Sequence, residues 1–350
     1  MSITLKRLAE RTKVTVGAAP HGHISYDKSL DRVWVLNSGA RTITLLDGTS
    51  GEVTGTIDVG GTPRHVILDN AAQVAYVAVD DALVIVDAKA GRVAKRLALA
   101  GGRGTCLLPM LPRRRMYVLG DSGTLTVVDT AQQEIAGTIA TGRGSNWGQP
   151  HENTCGKLYV ANAASNDMTI IDEATEKVIA TVKVGRRPHR NAIFRERGLI
   201  YTADLDDGTV TAVSIETDAV VATVRVGTAP FRLIGIEKKA GRPDLWVLDR
   251  GSDRTPGEIT VVSATEHRAT GKIALMDRPC NWLYDGPTAH VVGMRSRDLL
   301  VVDSRSASVI GSAQLTEDPD ATSFSNMVFS RSGNLFIANA NDTVSVFAEA

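Results

Sequence analysis

Short runs of β-branched, aromatic and aliphatic residues, separated by polar turn clusters, recur along this chain with a period of about forty-two residues. No stretch carries the 3.6-residue period of an amphipathic helix. The clearest pair of copies, Gly142 to Lys183 and Gly185 to Val226, align without a gap, setting Leu158-Tyr159-Val160-Ala161-Asn162 over Ile200-Tyr201-Thr202-Ala203-Asp204. Each copy reads as four short strands. The first follows a Gly-x-x-Pro opening, as at Gly60 to Pro63 and Gly185 to Pro188, where proline's fixed φ and missing N–H suit the start of a strand. The second is an aromatic and β-branched run such as Tyr76-Val77-Ala78-Val79 or Trp246-Val247-Leu248-Asp249. The third ends on a turn-forming residue, as at Asp87, Asp129, Asp172 and Asp303, and those aspartates read as turn initiators rather than catalysts. The fourth alternates and leads to the next opening.

The openings fall at Pro20, Pro63, Arg103, Ser145, Pro188, Pro230, Pro279 and Thr322, which is eight. The pattern predicts an all-β fold, a β-propeller of four-stranded blades, with eight blades favoured and seven the alternative. The last copy, from Ser323 to Ala350, holds only three strands, while Glu10 to Gly17 has the character of an outer strand. Pairing of the N-terminal strand with the C-terminal blade therefore closes the ring and removes an exposed sheet edge. A radial array of this kind makes residues 1–350 one domain despite the length.

The Gly-x-x-Pro opening together with Tyr159-Val160-Ala161-Asn162 resembles the YVTN-type propeller repeat, a family that includes lactonase-like and cytochrome-d1-like propellers. The resemblance spans essentially the whole chain. It implies the fold, and eight blades would be similar to propellers that bind d1 haem, but it supplies no residue match for chemistry, because propellers host many unrelated activities.

Composition narrows the partners. With 39 basic and 39 acidic residues the net charge is zero, which offers no basic surface for a nucleic acid. No run is long and apolar enough to span a bilayer, and the first residues lack a signal-peptide core. A cytoplasmic location is expected, or a periplasmic or secreted one if a leader has been removed. Cys106, Cys155 and Cys280 form neither an even set nor a C-x-x-C pair, so the thiols are expected to be free.

Departures from the repeat point to a site. The three residues after each opening position should line one mouth of the central channel. Four of the seven histidines fall there: His21, His23, His65 and His189. His21 and His23 are two apart on an extended strand, so they face one side and could present two nitrogens to one transition metal, copper, iron or zinc, with His189 as a further ligand and haem ranked behind a bare ion. The competing reading is that each ring bonds a neighbouring loop carbonyl. Arg64, Arg190 and Arg232 share the mouth and would hold an anion through paired N–H groups; alternatively, the arginines here pair with loop aspartates such as Asp80, Asp121 and Asp207. Asn146, Trp147, Asn191 and Trp282 complete a candidate substrate wall, although large rings at such positions also serve as wedges between blades. An insertion, Arg250 to Gly257, lies where a lid would be placed.

Two functions fit. The favoured one is a small-molecule enzyme with a His-rich metal site (His21, His23, His189), with His65 and Arg190 as catalytic groups, acting on a small anionic or polar substrate. The other is a noncatalytic module that binds a metallocofactor, peptide or partner protein.

Overall fold

The computed structural model describes residues 8–20, 23–150, 156–236, 244–253, 255–294, 296–317, 319 and 327–349, with backbone alone at 8, 146–150, 196 and 349. These residues form eight four-stranded antiparallel sheets, the blades of an eight-bladed β-propeller. Numbered in chain order, blade 1 is β2 (Ile24–Asp27) to β5 (Val53–Asp58), blade 2 is β6 (His65–Asp69) to β9 (Arg92–Ala98), and blade 3 is β10 (Gly104–Met110) to β13 (Glu134–Ala140). Blade 4 runs from β14 (Ser145–Pro150) through β15 (Lys157–Asn162) and β16 (Asp167–Asp172) to β17 (Lys177–Lys183). Blade 5 comprises β18 (Pro188–Phe194), β19 (Leu199–Asp204), β20 (Thr209–Ser214) and β21 (Val220–Arg225). Blade 6 comprises β22 (Pro230–Ile236), β23 (Asp244–Asp249), β24 (Glu258–Ser263) and β25 (Arg268–Ala274), and blade 7 is β26 (Pro279–Tyr284) to β29 (Ser308–Gln314). Blade 8 has the order β1-β32-β31-β30, with β1 at Leu8–Thr15, β30 at Met327–Phe329, β31 at Leu335–Ala338 and β32 at Thr343–Glu349. The count is eight rather than seven, and the N-terminal strand supplies the missing outer strand, antiparallel to β32.

The chain divides into two compact units, Met1–Leu99 with Cys280–Ala350 and Ala100–Pro279. In the first, β2 lies beside β6 and β30; in the second, β10, β14, β18 and β22 lie side by side in that order. Burial follows the strand pattern. The second and third strands are almost wholly buried, and Tyr76, Tyr117, Tyr159 and Tyr201 are each at most 1% exposed. Outer strands alternate with solvent, and seven of them bulge against the third strand, as between Ile170 and Ile171 or Ala212 and Val213. Such bulges disturb the free edge and discourage pairing with another chain. No helix among the described residues is long and apolar enough to cross a membrane.

Two polar devices explain the repeat. The aspartates ending the third strands cap the following turn: Asp172 accepts from both the backbone N–H and the hydroxyl of Thr175, and Asp303 from the N–H groups of Arg305 and Ser306. These bonds hold both carboxyls below their usual range, chiefly through the Thr175 hydroxyl and the Ser306 N–H. The residue ending the second strand is a buried knot. Asn162 donates to Asp167 Oδ1 and Thr169 Oγ1, each at 2.8 Å, and accepts from Ser145 Oγ at 2.9 Å. A Cβ on the opening residue Gly142 would come within 2.6 Å of Asn162 Nδ2, so this approach requires glycine. Asn339 repeats the knot with Thr343 and Ser345.

Candidate functional site

In blade 5 the same position is Asp204, fully buried, and its Oδ2 accepts from Thr209 Oγ1 at 3.0 Å and Thr211 Oγ1 at 2.6 Å. Burial pushes its carboxyl up to about 7, against the pull of those two hydroxyls. Asp204 faces Pro188 across the ladder, and the next matched pair is Asn191 with Thr202. His189 and Arg190 therefore stand together opposite Ala203 in a β-bulge. A bulge suspends the strict alternation of a strand and re-aims its side chains. The first strand of blade 6 is also irregular, between Pro230 and Arg232.

The consequence is a cationic cluster at the start of β18 and β22. His189 reaches sideways to the next blade, with Nδ1 3.2 Å from the carbonyl oxygen of Phe231. Arg250, the first residue after β23, lays its guanidinium over the Phe231 ring at 4.1 Å. Burial, then the charges of Arg190, Arg250 and Arg232, press the His189 imidazole down to about 3, so the ring is neutral at physiological pH. Arg190 is 8% exposed. Its guanidinium is lowered to about 10 by burial, with Cys106 favouring the charge and Arg250 opposing it.

A backbone carbonyl only accepts, so His189 Nδ1 carries the proton. A neutral imidazole has one N–H, which leaves Nε2 as a lone pair. His23 is placed differently. Its Nδ1 meets both the carbonyl oxygen (3.1 Å) and the amide nitrogen (3.4 Å) of Val66, across the seam from blade 1 to blade 2. The His65 ring stacks on it, with centroids 4.6 Å apart. His21 lies outside the described residues. Among those described, no group of three or more His, Cys, Asp or Glu side chains is gathered as a metal would require.

The arginines divide into two sets. Arg64 pairs with Asp80, Arg103 with Asp121, Arg186 with Asp207, Arg187 with Asp206 and Arg278 with Asp253. Four of these pairs are exposed and Arg64 with Asp80 is part-buried, and exposed pairs of this kind contribute little to stability. Arg190, Arg232 and Arg250 belong to the cluster around His189. Asn191 is buried and donates to the Tyr159 carbonyl at 3.4 Å, bonding blade 5 to blade 4. Trp282 is buried in blade 7, with its backbone N–H donating to Asn281 Oδ1. The side chains of Asn146 and Trp147 lie outside the described residues, as do Cys155 and Arg254. Cys106 and Cys280 are buried thiols that form no disulfide among the described residues.

The inserted loop is tied down at several points. Ser252 and Thr255 bridge each other, Asp253 pairs with Arg278, and Gly251 N–H donates to Asp249 Oδ1. It holds Arg250 in place over Phe231. The sequence pattern does not mark Arg250 or the Phe231 carbonyl as site components. The one signal it offers for Arg250 is that this residue begins the insertion.

No family model matches the chain, and no curated protein matches it. Solved structures do. BamB from Moraxella catarrhalis superposes with a TM-score of 0.70 at 14% identity, covering 97% of this chain and 99% of that one. The dihydro-haem d1 dehydrogenase NirN in complex with DHE gives 0.74 at 16% identity, covering 97% of this chain and 76% of that one. The computationally designed Ika8 protein gives 0.75 at 10% identity, covering 97% and 99%. A bacterial protein, a dehydrogenase and a design thus share one architecture with this protein, and at these identities the likeness is one of fold.

Proposed function

We propose that the chain is a YVTN-type propeller that binds a small anionic molecule where blades 5 and 6 begin, with His189 as a neutral imidazole beside it and Arg190, Arg232 and Arg250 as the anion clamp. One observation carries this reading: His189 and Arg250 both engage Phe231, at 3.2 Å through the carbonyl and 4.1 Å over the ring, with buried Arg190 and part-buried Arg232 next in the chain to His189 and Phe231, so that positive charge gathers around a neutral imidazole. Guanidinium groups are planar donor forks matched to carboxylate and phosphate, and buried charge is kept where function needs it rather than for stability. A neutral ring whose tautomer is fixed by its neighbour is the form that accepts a hydrogen bond or ligates a metal.

The metal-assisted version keeps His189 Nε2 as a ligand, and the arginines also suit the carboxylates of a metallocofactor. In favour of that second reading, NirN, a similar fold, is a dehydrogenase named for dihydro-haem d1. A bound group of this kind would supply Lewis-acid or redox chemistry, while the chain itself binds, orients and holds the lone pair.

The test is calorimetric titration of the untagged protein with carboxylates and inorganic phosphate, alongside elemental analysis. Saturable binding that weakens at least about tenfold in Arg232→Gln supports the clamp, since charge-assisted bonds are worth about 1.5–3 kcal/mol. Anion binding absent from the wild type, or unchanged in Arg232→Gln, sinks it. Stoichiometric metal that is lost in His189→Ala would select the metal version.

A further inference from the structure

Blades 1 to 6 each set a tryptophan or tyrosine of the second strand, from Trp34 to Trp246, opposite the third-strand residue that precedes the outer-strand bulge. Blade 7 sets His290 there. On β27 (Thr288–Gly293) it lies opposite Val301 of β28 (Asp298–Asp303), just before the bulge at Val301 and Val302. Residues opposite one another in a ladder share a face of the sheet, and Val301 belongs to the apolar cluster that also takes in Val292 of blade 7 and Met327 and Leu335 of blade 8. The ring of His290 is accordingly 0% exposed, and Phe329 of β30 meets it edge to face at 5.0 Å.

An imidazole differs from those other rings in one respect: it gains a charge near neutral pH. Little in the seam is ready for that charge. Among the described residues neither ring nitrogen has a hydrogen-bond partner of bonding geometry. From the strands around it, β26 brings Leu283, β30 brings Phe329 and β28 brings Val301, with Asp298 and Asp303 only at the two ends of β28. Among the described residues the charge that acts on the ring is Asp285, in the turn before β27, and its carboxyl already accepts from the N–H and the hydroxyl of Thr288, each at 2.9 Å. Burial holds the imidazole below its ordinary range, against Asp285 and the Leu283 backbone, which both favour the proton.

We infer that His290 is an acid-sensitive latch between blades 7 and 8, closed while the ring is neutral and released when it takes up a proton. The sign follows from burial. An opened seam lets the ring bind a proton at its ordinary value of about 6.5, whereas the closed seam resists it, so the closed form is fully favoured above that pH and loses its advantage as pH falls below it. Release falls on blade 8, the sheet in which the two ends of the chain pair. His189 belongs to the other compact unit and takes no part.

The experiment is hydrogen–deuterium exchange on the full chain at pH 7.5 and 5.5, read peptide by peptide as protection relative to the intrinsic rate at each pH, for the wild type and His290→Tyr. Protection of β27 and β30 in the wild type should fall about tenfold on acidification, since pH 5.5 lies about one unit below the ordinary imidazole value. Blade 3, which carries no histidine, should hold its protection. His290→Tyr restores the residue type that Tyr159 and Tyr201 provide at this register, and it should keep β27 and β30 protected at both pH values. Unchanged protection of β27 and β30 in the wild type overturns the latch, and so does a loss of the same size in blade 3 or in His290→Tyr. The comparison of the two regions within the wild type decides the matter even if His290→Tyr fails to fold.

Discussion

His189 Nδ1 and the Phe231 carbonyl oxygen lie 3.2 Å apart, and this bond joins blade 5 to blade 6 while deciding which imidazole nitrogen carries the proton. Stability and chemistry are therefore coupled at one residue, which makes their separation by mutation informative.

His189→Ala should cost about 1 kcal/mol from the lost bond. The pH dependence should change too. The folded-state imidazole titrates at about 3 against an ordinary value of 6.5, so between those values the unfolded chain binds more protons. Stability contributed by the neutral ring is thus full above about 6.5 and lost as pH falls toward 3. Urea unfolding at stepped pH should show that loss in the wild type and a shallower one in the variant.

Arg190→Met should weaken anion binding, because it removes a buried guanidinium beside His189. Calorimetry on the folded variant would show the loss. Anion binding equal to that of the wild type would mean that Arg190 is structural only.

Asp204→Asn should stabilise the protein above neutral pH. The folded carboxyl titrates at about 7 against an ordinary 3.8, so the folded state binds more protons between those values and stability declines as pH rises through them. Every pH unit by which the folded and unfolded carboxyls differ is worth about 1.4 kcal/mol. Asparagine at this position donates to both threonine hydroxyls, much as Asn162 donates to Asp167 and Thr169. The unfolding free energy of the variant should therefore lose the decline between about pH 4 and 7 that the wild type shows.

The fold was legible because the repeat states it eight times: an aromatic residue at one register in nearly every copy, aspartate or serine at most third-strand turns, and the outer-strand pattern at Glu10 to Gly17 that pairs with β32. The site was legible only as a set of positions. Strand alternation assigns His189 and Arg190 to opposite faces, and the bulge opposite Ala203 cancels that rule. Likewise, the choice of Arg64 as an anion binder fails to distinguish it from Arg190, since both follow an opening proline by one or two residues; what separates them is Asp80 beside one and burial around the other. Asn37, Asn162 and Asn339 read as ordinary strand ends in sequence, and their knots emerge only once the polar side chains a few residues on are folded back against them.

The N-terminal strand gives a further prediction. Glu10 accepts from Thr316 Oγ1 at 2.6 Å and Ser345 Oγ at 2.8 Å, and Lys13 pairs with Glu317. Val14 packs against the core of blades 1 and 8. Val14→Asp should lower the melting temperature by several degrees, and Glu10→Ala by less, because only its partly exposed bonds are lost. A melting curve unmoved by Val14→Asp would mean that β1 contributes little to closure.

Nitrogen-15 NMR of the histidine rings tests the site most directly. At pH 7 the His189 signals should show a protonated Nδ1 and an unprotonated Nε2, and a bound carboxylate or phosphate should move them. A protonated Nε2 in the free protein, or His189 signals indifferent to every anion that binds, would contradict the proposed roles of His189 and its arginines.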